Sequence, residues 1–132
     1  MMKQIVVGYD GSNTGKAALA VAKEQSKAFD AKVFVIESQL GGSDTDVKDI
    51  KKGEETLEFA ESYLNEQNIP CETHLLVRGV EPGEDIVQFA KDNDADLIIV
   101  GVRRRSKVGK LMFGSIAQFV ILEAPCPVLT VK

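Results

Sequence analysis

Tryptophan is absent from the 132 residues, histidine occurs once, at His74, and cysteine twice, at Cys71 and Cys126. The lone His74 leaves His-based triads without support and excludes multi-histidine metal sites. Two cysteines supply neither a disulfide framework nor a four-ligand zinc site, and their scarcity fits a reducing, cytoplasmic compartment. Long apolar runs are also missing. The longest, Leu97 to Val100 with Gly101 and Val102 after it, is far short of the ~20 residues that cross a bilayer. The opening Met1-Met2-Lys3-Gln4 leads straight into a short apolar stretch, so no signal peptide and no membrane partner are expected. Bases do not dominate either. Twenty acids against 16 Lys and Arg give a formal charge of −4, which speaks against nucleic acid as a partner.

What is present describes one ordinary globular domain covering residues 1–132, with 44% hydrophobic and 27% charged residues. Four segments are apolar at consecutive positions: Ile5-Val6-Val7, Val33 to Ile36, Leu97 to Val100 and Val128 to Val131. That is the pattern of strands covered on both faces. Residues 71–77 alternate in part, with Glu72 and His74 on one side and Cys71, Thr73, Leu75 and Val77 on the other. They read as a half-exposed edge strand, with His74 in solvent.

Between the strands, helical spacing appears at residues 13–28, with Ser12 as N-cap and Ala18, Val21, Ala22 and Phe29 on one stripe. It recurs at 50–67, with Leu57, Ala60 and Leu64, at 84–92 after Pro82-Gly83, and at 115–123 before Pro125. Strict alternation of strand and helix predicts an α/β fold with a mostly parallel sheet and helices on both faces. The connection from Ser38 to Asp49, with Gly41-Gly42-Ser43-Asp44, is long enough to be a lid or a mobile loop.

Ligands of open α/β sheets bind beyond the carboxyl ends of the strands, where strand order reverses. The loop after the first strand reads Gly8-Tyr9-Asp10-Gly11-Ser12. Asp10 there can accept from a ribose hydroxyl or an adenine amino group, or simply turn the chain into the helix. The loop after Gly101 carries Arg103, Arg104, Arg105, Lys107 and Lys110 and no acid, a local +5, which leaves 11 bases against 20 acids elsewhere. It re-enters a helix at Gly114-Ser115. Exposed helix N–H groups, the positive dipole end and this basic charge together suit phosphate. A solvated loop capped by Ser115 is the plainer alternative.

Other motifs fail on inspection. A Walker A loop around Gly109-Lys110 would need Gly at position 104 and Ser or Thr at 111, where Arg104 and Leu111 stand. The Rossmann glycine pattern is absent after Gly8. A calcium loop starting at Asp44 fails at Lys48 and Asp49. The basic loop has no interleaved aromatics for stacking bases, and both cysteines read as structural.

Three stretches together resemble the universal stress protein family over the whole chain. They are Ile5 to Ser12, the loop from Gly101 to Ser115, and the ending Pro125-Cys126-Pro127-Val128-Leu129-Thr130-Val131. Nucleotide-binding members carry Gly, two residues, Gly, nine residues, then Gly and Ser or Thr. Gly101, Gly114 and Ser115 match that spacing, and Arg104 replaces the second glycine. The resemblance implies a five-stranded parallel sheet in the order 3-2-1-4-5, a Rossmann-like form, and a homodimer. It also implies ATP or a related adenine nucleotide as a regulatory ligand in stress response, with a divalent cation beside it. By the same analogy Asp10 and the Val35 backbone face adenine, Gly8 and Gly101 the ribose, and Gly114, Ser115 and the Ile116 N–H the phosphates. Arg104 either clamps the phosphates or blocks them, and its basic neighbours favour the clamp. Two other classes stay open: a nucleotide-free dimeric interaction module, and a weak ATP-hydrolysing or adenylating enzyme. The enzyme is disfavoured because only Ser106, Ser115 and Asp10 stand near the loop as reactive groups.

Overall fold

The computed structural model describes residues 2–41, 47–102 and 114–132. Along the chain run β1 (Gln4–Gly8), α1 (Asn13–Phe29), β2 (Lys32–Gln39), α2 (Val47–Glu66), β3 (Cys71–Val77), α3 (Pro82–Asp92), β4 (Leu97–Gly101), α4 (Ser115–Glu123) and β5 (Val128–Val131). All five strands pair in parallel, in the order β3-β2-β1-β4-β5. The expected α/β class and strand order are both present.

Side chains of the central strands alternate between two cores. Ile5, Val7, Leu97 and Ile99 pack with Ala18, Leu19 and Ala22 of α1 and Leu57, Ala60 and Leu64 of α2. Val6, Ile98 and Val100 pack on the other face with Ile86, Val87 and Phe89 of α3 and Val120 of α4. A strand buried on both faces has no polar positions to spare, which explains the unbroken apolar triplets and quartets. β5 departs from that expectation: it lies at the edge, and its central Leu129 and Thr130 are exposed.

The helix ends follow local chemistry. Ser12 caps α1 by accepting from the Gly15 N–H at 3.1 Å, as the sequence predicts. Asp30, at φ 55°, stops the helix, and Ala31 is already in the core. The apolar stripe thus ends at Ser26, and Phe29, assigned to it from spacing, is 48% exposed. α2 begins three residues earlier than its periodicity suggests and α3 begins at Pro82, where a missing N–H costs nothing. Residues 42–46 of the expected lid lie outside the described residues.

The edge strand β3 is half-exposed as expected, but His74 is not in open solvent. Its ring lies 5.1 Å from that of Phe89 and 6.4 Å from that of Phe34, and its Nε2 is 3.4 Å from Glu72 Oε1. Two aromatic rings on the α3 face of the sheet supply the apolar surface that draws it in.

Candidate functional site

Because β1 leads to one side of the sheet and β4 to the other, the order reverses between them, and a cleft opens at their carboxyl ends. Its volume is about 480 Å³, within the range of small-molecule sites. Gly8 and Gly101 floor it, Asp10 stands on the β1 side, and Gly114, Ser115 and Ile116 form the opposite wall. Six of the eight residues picked from the sequence therefore meet in one place. Val35 does not line the cleft. It is fully buried between β2 and its helices, and the tip of β2 contributes Ile36, Glu37 and Ser38 instead. Arg104, with the rest of the basic run from Arg103 to Lys110, lies outside the described residues.

The two glycines of the floor allow close approach. A Cβ on Gly101 would meet the Thr14 carbonyl at 2.7 Å, so this glycine lets α1 pack directly over the end of β4. Gly11, at φ 81°, makes the turn from β1 into α1 that few other residues adopt. In that turn Asp10 Oδ1 accepts from the Ser12 N–H at 2.9 Å. The turning role foreseen for Asp10 is thus real, and the residue lines the cleft as well.

Gly114, not Ser115, is the N-cap of α4, in extended conformation at φ −62° and ψ 158°. Ser115 is the first helical residue, so the plainer reading of it as a cap does not hold. A helix beginning on a glycine, with no side-chain cap hydrogen bond, presents its first N–H groups and positive dipole end to the cleft wall that it forms.

The opposite end is acidic. Glu37 Oε2 accepts from Thr56 Oγ1 at 3.0 Å, and burial, aided by the charge of Asp10, pushes its carboxyl above the ordinary value despite that bond. Burial, then Asp10 and Glu37, likewise push the Tyr9 phenol up. The cleft is therefore polarised, with carboxylates beside β1 and β2 and a helix N-terminus beyond β4. Glu37 and Ser38 escaped the sequence reading because nothing in their spacing marks them. The useful signal was their position, at the carboxyl end of a strand next to the reversal point. Cys71 and Cys126 stand away from the cleft, and burial raises both thiols above their usual value, which suits unreactive structural cysteines. No group of three or more potential metal-ligating side chains occurs among the described residues.

An open parallel sheet with a cleft at its reversal point and a helix N-terminus on the cleft wall defines the Rossmann-like class of α/β ligand-binding domains. Within it, the universal stress protein family model matches residues 1–132, and the chain belongs to the universal stress protein family. A universal stress protein of Thermus aquaticus is 38% identical over the full length of both chains. The structure of a universal stress protein from Archaeoglobus fulgidus superposes with a TM-score of 0.92 at 42% identity, covering all of both chains. A universal stress protein structure from the same organism, in complex with dAMP, gives a TM-score of 0.86 at 39% identity, covering 100% of this chain and 98% of the other.

Proposed function

We propose that this chain binds an adenine nucleotide in the β1/β4 cleft as a regulatory ligand in stress response. The polarity of the cleft carries the reading. Phosphates belong at the N-terminus of α4, against Gly114, Ser115 and the Ile116 N–H, where N–H groups and the helix dipole favour negative charge. The sugar then lies over Gly8 and Gly101, and the base lies toward Asp10 and the tip of β2. Reversed, the phosphates would face two carboxylates. The dAMP complex of a 39% identical relative supports the same ligand class. ATP, with a divalent cation on its phosphates, is the fuller form of the proposal, and Arg104 adds a charge-assisted contact to those phosphates. We place the protein in the cytoplasm, as a homodimer.

Regulation fits better than catalysis because no histidine or cysteine lines the cleft among the described residues. Calorimetric titration with ATP and AMP, with and without Mg²⁺, tests the reading. We expect one site per chain, affinity that falls with added salt, and weaker ATP binding by Arg104→Ala. Absence of binding by either nucleotide would refute it, and tighter binding by Arg104→Ala would refute the clamp.

A further inference from the structure

Beside the cleft, three side chains form a hydrogen-bonded chain whose directions are all determined. Asp85, in the first turn of α3, is 1% exposed. Its Oδ1 accepts from Arg78 Nε at 2.8 Å and from Arg78 Nη2, and its Oδ2 accepts from Ser38 Oγ at 2.9 Å. A guanidinium only donates and a carboxylate has no proton to give, so Ser38 is the donor in its bond. The single hydroxyl proton of Ser38 is thereby committed to Asp85, and the hydroxyl can only accept from anything in the cleft that it lines. Asp10 and Glu37 line the same end. The β2 side of the cleft is thus a wall of acceptors.

Sheet geometry says which part of a nucleotide reaches that wall. β2 lies two strands from β4, a separation of about 10 Å. With phosphates at α4, that is the distance across the sugar to the base. Asp85 is buried but the Arg78 side chain is half-exposed, and an ion pair open to solvent on one side contributes little to stability.

We infer that Ser38, held as an acceptor by Asp85 and Arg78, reads the exocyclic amino group of the base and selects adenine over a purine with a carbonyl at that position. This rests on the nucleotide reading above. Ser38 touches the base; Asp85 and Arg78 are positioning residues.

Asp85→Asn tests it with little change of shape. Arg78 still requires an acceptor, so the amide oxygen turns to Arg78 and the amide NH₂ faces Ser38. Ser38 must then accept from that NH₂, and its own proton swings into the cleft, where it suits a carbonyl. Binding of AMP and IMP is measured by calorimetry for the parent, Asp85→Asn and Ser38→Ala. The parent is expected to prefer AMP by roughly tenfold or more, the penalty of facing a carbonyl with an acceptor. Asp85→Asn should erase or invert that ratio, weakening AMP while strengthening IMP. Ser38→Ala should weaken AMP alone. An Asp85→Asn protein that melts cooperatively and keeps the parental ratio overturns the inference while leaving nucleotide binding intact. If Asp85→Asn does not fold, an unchanged ratio in Ser38→Ala overturns it equally. A parent that binds neither nucleotide overturns this inference and the functional reading together.

Discussion

At Gly101 an added Cβ would stand 2.7 Å from the carbonyl carbon and oxygen of Thr14, and backbone cannot swing aside as a side chain can. At Gly114 the same atom would meet nothing within 4 Å among the described residues, and the φ of −62° suits any residue. Both glycines sit in the same family-like spacing, yet the first serves the packing of α1 on β4 and the second keeps the cleft wall open. Gly101→Ala should therefore cost about 1–3 kcal/mol, the range of overpacked cores, seen as a lower urea midpoint. Gly114→Val should unfold close to the parental midpoint and lose most of its nucleotide affinity, since its side chain would occupy the phosphate end. A Gly114→Val protein that binds as well as the parent would remove the phosphates from α4. The sequence marked both positions but could not separate the two roles, because the contact with Thr14 spans 87 residues of chain.

Elements were legible where burial is two-sided and obscure where one end or edge meets solvent. β1, β2 and β4 announce themselves by apolar runs, and α4 spans Ser115–Glu123, matching its predicted limits. Phe29 and Leu129 went astray because the apolar pattern continues past the point where the fold covers it. The first turn of α2 was missed because Val47 there is exposed and no buried stripe begins before Gly53. Less visible still is the tie at the far end of the reversal point. Asp96, just before β4, accepts from the N–H groups of Lys3 and Gln4 at 2.8 and 3.0 Å, and its own N–H donates to the Gln4 carbonyl at 2.8 Å. The Lys3 and then the Gln4 N–H hold this carboxyl below its ordinary value. A folded value below the unfolded one means that the ionised group stabilises the fold above the unfolded value, and that this contribution disappears as pH falls through the folded one. Asp96→Asn keeps an oxygen for both N–H groups but loses the charge. Its urea midpoint should lie below the parent's at pH 7, and the two should converge as pH falls below the ordinary carboxylate range. A gap independent of pH would mean that the charge contributes nothing to joining β1 and β4.

For the molecule as a whole, the question is what covers β5. Ile98 donates to the Pro127 carbonyl and Val102 to that of Val131, so alternate residues of β5 face β4 through their backbone. Val128 and Thr130 then direct their N–H and C=O groups to the outer edge, where no further strand is paired among the described residues. An edge of this kind is a template for another strand. Beside it Leu129 is exposed, and on α4 Ile121 and Leu122 are too, with Leu122 at 72%. Two copies meeting edge to edge about a two-fold axis would join β5 to β5 antiparallel and bring those apolar side chains toward each other, a contact that closes on itself. The homodimer proposed above is best placed there. Thr130→Pro is the discriminating variant, because it removes an outward N–H while sparing the bonds to β4, and proline is tolerated at sheet edges. Sedimentation velocity at micromolar concentration should show a dimer for the parent and a monomer for Thr130→Pro, with nucleotide binding retained in both if each cleft is complete within one chain. A dimer that survives Thr130→Pro unchanged would move the interface away from β5, and a parent that stays monomeric would leave the apolar face of α4 to some other partner.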